Sequence, residues 1–492
     1  MRKTIFGCLM ALGILACKIA GAETYVSGTI TGDTTWNFSG SPYIATETVY
    51  VADGVKLTID PGVTIRFATE TSLICYGTLN AIGTAIGTIT FTSSQTTPMA
   101  GDWNGIKLSG SGANGSQIKY CDIGYAKQAV YLKNTLGIVI TNNFIHDNKG
   151  ADGRFPGEVG CGVYLSSSTN TVISSNIIFQ NEGGKGGNGS TLISGASGGI
   201  GCGIHLSDSD SNIIATNIIL SNIGGRGGMG GYQASGGQGE IGCGIYLYSS
   251  INNNIRENTI TSSQGGGGGA GGSYGSGGTR GNGYGIYLEP NSYNNTITTS
   301  NTYNNEPIFY FYGITIPTII ENQTLTLTGS GSTNLGRIVL INCSNFTIRN
   351  NTISGGIGEN GYTGGNHASG GSGRIGCGIY LYNSTNTTIL ENTITNNQGG
   401  NGGTGGNCES GGQGGIGCGI YLYSSINNTI QGNTIASSQG GSGGGGGPYA
   451  SGGQGGIGCG IYLYSSINNT IQGNTIASSQ GGSGGGGGYL SG

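Results

Sequence analysis

Apolar residues in this chain come in short alternating runs separated by Ser, Asn and Gly. From Cys418 the apolar positions are Cys418, Ile420 and Leu422, then Ile430, then Ile435. Alternation with a period of two, bounded by turn residues, predicts strands rather than helix. The unit Gly-Cys-Gly-Ile-Tyr-Leu-Tyr recurs with a spacing of 41 residues. Cys161, Cys202 and Cys243 carry it, Tyr284 takes the next slot, and Cys377, Cys418 and Cys459 resume it. A fixed period of this size marks a solenoid.

Counted from the Cys position, an Asn falls at offset 15 in Asn176, Asn217, Asn258, Asn392, Asn433 and Asn474, just before the third strand. The same frame fits stretches without the Cys. Gln128 starts one with Val130, Leu132, Ile140, Asn143 and Ile145, and Gly336 starts another with Ile338, Leu340, Ile348, Asn351 and Ile353. Counting back from Gln128, Ile106 and Leu108 fit a coil begun 22 residues earlier. A bare coil is thus about 22 residues, three strands and three turns, and the other 19 residues of each repeat are a glycine-rich insertion such as Gly440 to Gly458. Stacked at ~4.8 Å, such coils put Ile and Leu columns inside, pass amide hydrogen bonds between the offset-15 Asn residues, and point the Tyr between Ile and Leu outward. The expected fold is an all-β parallel β-helix.

Composition narrows the partners. Charged residues are 8% of the chain, the last Asp is Asp210, the last Lys is Lys185, and beyond Arg374 only Glu391 and Glu409 are charged. So little charge argues against nucleic acid or an anionic membrane surface as partner. The 107 glycines, read as lacking a triplet period, exclude collagen. For the cysteine column, in-register strands hold neighbouring Cβ atoms near ~4.8 Å, beyond the ~3.5 to 4.5 Å of a disulfide. Buried thiols are therefore expected, and metal binding is not, because no His or second Cys recurs at ligand spacing.

The ends add a compartment. Arg2 and Lys3 precede the apolar run Ile5 to Ala16, and Ala20-Gly21-Ala22 offers a cleavage site, so residues 1–22 read as a signal peptide. Ile14-Leu15-Ala16-Cys17 is the alternative, a lipoprotein box acylated at Cys17. Secretion or the cell surface is expected, with the periplasm or an outer-membrane lipoprotein as variants, and no later stretch is apolar enough to span a membrane. Residues 23–127 form an N-terminal cap and first coils, and 128–492 the repeat β-helix. The chain stops at Gly492 inside an insertion, and Ser410 to Gly447 is repeated unchanged at Ser451 to Gly488. Because solenoids need polar terminal caps, a missing C-terminal cap or anchor is expected.

Gly-Ile-Tyr-Leu, then Asn-Asn-Thr-Ile, then Asn-Thr-Ile resembles the repeat of NosD-like proteins within the pectin-lyase-like superfamily. Gly336 to Asn345 is similar to a segment recurring in NosD-like domains, and Gly54 to Gly62, Tyr76 to Leu79 and Gly101-Asp102-Trp103 resemble the opening coils of secreted bacterial β-helix proteins. The resemblance implies a right-handed helix. It leaves function open, because the superfamily holds lyases, hydrolases, epimerases, adhesins and non-catalytic surface proteins. NosD-like members are linked to copper delivery, for which this chain offers no Met or His cluster; its histidines are His146, His205 and His367.

By the same resemblance, polysaccharide sits against the outer face of the first strand, walled by the loops after the third. Two tyrosine columns fall there: Tyr131, Tyr164, Tyr246, Tyr287, Tyr380, Tyr421 and Tyr462 in one, and Tyr248, Tyr382, Tyr423 and Tyr464 in the other. Aromatic faces with hydroxyl tips suit sugar rings, so the first column is the expected ligand contact; tyrosine is also a good strand residue that stacks on itself, and the insertions are placed to cover it. The repeat is broken at His205, with Asp208 and Asp210 in the following turn, near Lys133, Asp147, Asp152, Arg154 and Glu158. If there is lyase or hydrolase chemistry, this is its expected place, with Asp as acid or Ca2+ ligand and Arg154 or His205 as base. Gly-His-Gly, Asp-Asp and Arg-Ile-Lys are all absent. The expectation is a non-catalytic exported protein that binds polysaccharide or cell-surface glycan, or acts as adhesin or spacer, with no cofactor. A pectin-lyase-like lyase or hydrolase, using Ca2+ only if a lyase, is the alternative. Surface binding to ice or mineral through Thr429 and Thr470 is disfavoured by the lack of a flat Thr-x-Thr array.

Overall fold

Alternation puts one face of every strand inside, and the computed structural model closes these strands into a three-sided parallel β-helix. It describes residues 23–153, 156–273, 277–289, 291–326, 335–364 and 369–488; the expected signal peptide, Arg154, His367 and the last four residues lie outside these. In the repeat from Cys418 the strands are Gly417–Tyr423, Thr429–Gln431 and Thr434–Ala436. Each pairs in parallel with its counterpart one coil on: Ile420 with Ile461, Ile430 with Ile471, Ile435 with Ile476. Near the N-terminus, Tyr43–Val51 bends around a corner. Tyr43 to Ala45 pairs with Ile65 to Phe67 of the third sheet, and Val49 to Val51 with Leu73 to Cys75 of the first.

Between bare coils Ile118 pairs with Ile140 and Ile123 with Ile145, the 22-residue step read from the sequence. The first sheet corrects that count locally. Ile106 pairs with Val130 and Leu108 with Leu132, a step of 24, because the turn holding the 3-10 segment Ser111–Ala113 is two residues longer than its successor. An even shift leaves the inward face unchanged.

Among the described residues the solenoid is broken once. Gly283–Leu288 closes the first stack against Gly242–Tyr248, and Phe309–Tyr312 opens a second stack of three five-stranded sheets. The chain reverses between, where Thr302–Tyr303 pairs antiparallel with Glu306–Pro307. Outward side chains Tyr310, Val339 and Ile341 then pack in one cluster with Leu288, Ile297 and Tyr303 of the first stack's last coil.

The predicted amide ladder is present in both stacks. Nδ2 of Asn176 donates to Oδ1 of Asn217 at 3.0 Å, and Nδ2 of Asn217 to Oδ1 of Asn258 at 2.9 Å. The second N–H of Asn217 reaches the carbonyl of Ile173 at 2.9 Å, and its Oδ1 also accepts from the backbone N–H of Asn176 at 3.0 Å. Asn351, Asn392, Asn433 and Asn474 repeat the pattern. Further ladders run alongside, through Asn212, Asn253 and Asn295 in the first turn, Asn148, Asn181 and Asn222 where the insertions begin, and the hydroxyls of Ser168, Ser209 and Ser250. These ladders thus pair buried amides from coil to coil, while Nδ2 of Asn222 and Asn397 and the hydroxyls of Ser263 and Ser438, at one corner position of the repeat, have no partner among the described residues.

The insertions correct two readings. Among the described residues they form pairs of extended arms whose hydrogen bonds have a period of three, the residues per turn of an extended three-fold helix. On the outgoing arm Gly440, Gly443 and Gly446 donate to Gln480, Ser483 and Gly486 of the next coil, while Gly441, Gly444 and Gly447 donate to Gly415, Gly412 and Glu409 of the preceding returning arm. The triplet read as missing is therefore there, as Gly-Gly-x within single arms such as Gly440-Gly441-Ser442-Gly443-Gly444. Glycine is required because a Cβ on Gly444 would lie 1.9 Å from the carbonyl oxygen of Gly403.

The cysteine column, placed by alternation with Ile420 and Leu422, lies instead outside the barrel. A Cβ on Gly244 would meet Cγ2 of Ile260 at 2.4 Å, so this glycine faces the interior. Cys243 before it turns outward, into a separate cluster with Cys161, Cys202, Tyr246 and Tyr287 that Ile200 and Ile241 of the insertions cover. Cys377, Cys418 and Tyr421 form its twin in the second stack. The thiols are free, as expected.

Replacing Asn217 by Ala strands hydrogen-bond partners on both neighbouring coils. It should cost about 2 kcal/mol, in the range of ~1–3 kcal/mol for a buried unsatisfied group, read as a lower urea midpoint. Gly444→Ala should raise amide exchange in the insertions while leaving that of Ile420 and Ile430 unchanged.

Candidate functional site

The outer face of the first sheet was the expected contact surface, and its two tyrosine columns have different surroundings. In the first column Tyr131 and Tyr164 stack at 5.1 Å, Tyr246 and Tyr287 at 5.2 Å, Tyr380 and Tyr421 at 5.5 Å, and Tyr421 and Tyr462 at 5.2 Å. The insertions roof it. Tyr246, Tyr287 and Tyr421 are buried, and Tyr164, Tyr380 and Tyr462 half-buried. Burial pushes the Tyr164 phenol up to about 12 and those of Tyr246, Tyr287, Tyr380 and Tyr421 further up. The Tyr246 hydroxyl donates to Oε1 of Glu289 at 2.9 Å. These rings serve as an outer core.

The second column is open. Tyr248 and Tyr464 are each 49% exposed, Tyr382 is exposed, and Tyr423 between them is half-buried. Tyr382, Tyr423 and Tyr464 stack at 5.2 and 5.1 Å with planes 16° and 24° apart. Their faces are therefore turned to one another, and what they offer outward is ring edges and a row of hydroxyls. Tyr248 stands in register with Ser207, so on that side its ring meets a small side chain.

The charged coil is dispersed into local roles. His205 is 4% exposed, its ring 4.5 Å from that of Tyr164 and 4.7 Å from that of Tyr246. Burial lowers its pKa to about 3, so it is neutral and continues the aromatic column. Asp208 is exposed at a left-handed turn with φ of 49° and accepts from Ser207 at 3.0 Å. Asp210 accepts the backbone N–H of Ile251 at 2.7 Å, and Asp152 that of Lys185 at 2.7 Å. No bond joins these groups among the described residues, and Arg154 lies outside them.

Sequence reasoning passed over a tighter cluster. On the outer face of the third sheet, Nε2 of His146 lies 2.8 Å from Asp122 and Nδ1 2.7 Å from Asp147, beside Tyr125, Phe144 and Phe179. Asp122 reaches it from the preceding coil, whose Gly124 pairs in register with His146. Burial opposes its charge, but the hydrogen bonds and charges of the two carboxylates outweigh that and hold its pKa above the ordinary value. With both ring nitrogens engaged, it is an ion-pair centre rather than an open base. Only the coil-to-coil register could have revealed the pairing with Asp122.

A model of a pectate-lyase like beta helix domain matches residues 28–128, and the model described as periplasmic copper-binding protein (NosD) matches 83–275 and 233–410. Protein bark beetle of Drosophila melanogaster is 41% identical over 70 residues, 14% of this chain, and the chain spans 2% of that protein's length. Among solved structures, the periplasmic alginate epimerase AlgG is 13% identical with a TM-score of 0.40 over 92% of this chain and 85% of that one. The A-module of the Azotobacter vinelandii mannuronan C-5 epimerase AlgE6 is 11% identical with a TM-score of 0.27 over 88% and 91%. Likenesses this distant say nothing of individual residues.

The copper in that family description does not fit the described residues. Both nitrogens of His146 are taken and His205 is enclosed by rings. Met99 and Met229 stand apart on different coils, and burial pushes the Cys161, Cys202 and Cys418 thiols well up, away from the thiolate a soft metal needs. Among the described residues no group of three or more His, Cys, Asp or Glu is placed to hold a metal ion.

Tyr421→Ser should cost about 3 kcal/mol or more, as for a buried aromatic made small, while Tyr423→Ser leaves the melting temperature within about 2 °C. The two histidines should act oppositely with pH. His146 has a raised folded pKa, so its stabilisation is full below about 6.5 and is lost as pH rises through the folded value; the gap in melting temperature between wild type and His146→Gln should shrink on that rise. His205 has a depressed pKa, so stability falls as pH drops from about 6.5 toward 3, and His205→Tyr should remove that part of the acid sensitivity.

Proposed function

We propose, from the premise that this chain belongs to the NosD family of parallel β-helix proteins, that it is an exported, non-catalytic glycan-binding protein. Its contact face is the row of Tyr382, Tyr423 and Tyr464 on the second stack, with Tyr248 a separate contact on the first. The observation that carries this reading is the contrast between the two columns. In the second stack the repeat keeps a second tyrosine outside the roof, where it contributes little to the core and presents ring edges and hydroxyls at the period of the coil, while the first stack has Lys133, Ser166 and Ser207 before Tyr248 at that position. Hydroxyls spaced by about one sugar unit suit a polymer lying along the helix axis, and amphipathic rings contact sugar C–H groups while the tips hydrogen-bond. Binding is then distributed, each coil adding a weak and equivalent contact.

The family description is periplasmic, and among the described residues no helix is long and apolar enough to cross a membrane. The proposed compartment is the periplasm or the cell surface. A lyase or hydrolase reading draws no support from the charged coil, since His205 is enclosed and neutral and Asp152 and Asp210 each cap a backbone N–H.

Affinity electrophoresis of residues 23–492 through gels cast with a panel of polysaccharides tests this. Retardation on at least one polymer without product is expected, falling about tenfold when Tyr382, Tyr423 and Tyr464 are replaced together by Ser and only gradually when one 41-residue repeat is removed. Unchanged retardation of a folded triple variant, or cleaved product in the eluate, would count against the proposal.

A further inference from the structure

Thr279 to Asn282 of the first stack's last insertion meet Glu359 to Tyr362, Ser372 and Arg374 of the second stack's first, and two cavities of roughly 300 and 350 Å³ lie in the seam. Arg280, Gly281 and Asn282 line both. The smaller cavity gathers Glu240, Glu289, Glu359, Arg280, Arg374 and Tyr287 from three insertions and the floor of the first sheet. In a chain with 8% charged residues such a gathering is conspicuous. Neither the repeat nor the roofing of the tyrosines needs it, since the corresponding insertion positions elsewhere carry Gly, with Glu158 at the position of Glu240.

We infer that this seam binds one neutral sugar residue, an end or a branch of the glycan proposed above, from which reading the inference takes only the class of ligand. The volume sits at the lower end of the ~300–1,000 Å³ of small-molecule sites. The lining mixes acceptors and donors: carboxylates, guanidiniums, the amides of Asn282, Asn360 and Gln238, and the hydroxyls of Thr279 and Ser372. A sugar hydroxyl donates and accepts at once, and suits such a lining better than a ligand that can only do one. Arg374 and Glu359 are already paired at 3.0 Å, which leaves no strong field for a charged ligand.

The charge of the lining narrows the ligand class. Burial, with the charges of Glu359 and Glu289, pushes the Glu240 carboxyl up to about 7 despite a hydrogen bond from the Ile241 backbone. The lining sets three carboxyl groups, Glu240, Glu289 and Glu359, beside two guanidiniums, Arg280 and Arg374. A uronate would bring a fourth carboxyl group, so it is the sugar class this seam rejects.

Saturation-transfer difference NMR on residues 23–492, with the methyl glycosides of glucose, galactose and mannose and with glucosamine and glucuronate as probes, tests the inference. Transfer to at least one neutral methyl glycoside is expected, at least tenfold weaker for glucuronate. It should be lost in Thr279→Trp, whose indole fills the cavity, and weakened in Glu359→Gln, which changes charge but little volume. The Tyr382, Tyr423 and Tyr464 triple variant should keep it. The inference is overturned by absence of transfer to every neutral probe, by transfer that survives both seam substitutions, by preference for the charged sugars, or by loss in the tyrosine variant. Polymer retardation failing while this transfer persists would sink the tyrosine face and leave the seam standing.

Discussion

Each coil of this protein must close three corners while pairing the polar groups it buries there, and the Asn ladder is what supplies that pairing from coil to coil. An Asn side chain spans the gap between coils and serves three partners at once, as Asn217 does with Asn176, Asn258 and Ile173. It fixes the distance and the rotation from one coil to the next, so every column falls into register. With register fixed, Ile and Leu fill the interior by repetition alone, and the aromatic columns outside have no choice but to stack.

A second layer grows from the same constraint. The coil holds Gly244 against Ile260 so closely that no side chain fits, and the strand must turn Cys243 outward. Thiol, phenol and the isoleucines that end each insertion then bury one another beneath the glycine arms. The arms lie flat because they carry no side chains where they touch, and their amides bond in two directions rather than one. The protein thus has a conventional core inside the prism and a thinner one between the prism and its roof. The roof decides which tyrosines reach solvent.

How much of this was legible follows from where the information sits. The strands, the three-turn coil, the offset-15 Asn ladder and the interior Ile and Leu columns were readable because each is periodic in the sequence. The coil at Gly336 was readable too, since Ile338, Asn351 and Ile353 keep the frame without the Cys. Cys418 was misplaced because alternation was carried through Gly419, where the strand departs from it. The arms were taken as loops although Gly440-Gly441-Ser442-Gly443-Gly444 states their period plainly. What no repeat reveals is a contact between unlike units. The pairing of His146 with Asp122 depends on which coils are neighbours, and the meeting of Glu240, Glu289 and Glu359 depends on the solenoid breaking and restarting between Tyr303 and Phe309.

The glycine arms run along one corner of the prism and nowhere else, and their coil-to-coil bonds add to those of the three sheets only there. The cross-section is mechanically lopsided, with its neutral axis drawn toward the roofed corner. A rod of this kind flexes sideways more readily than toward or away from that corner. Where the arms of one stack give way to those of the next, the reinforcement lapses. At the seam the two stacks are held instead by the side chains they share, Tyr310, Val339 and Ile341 against Leu288, Ile297 and Tyr303.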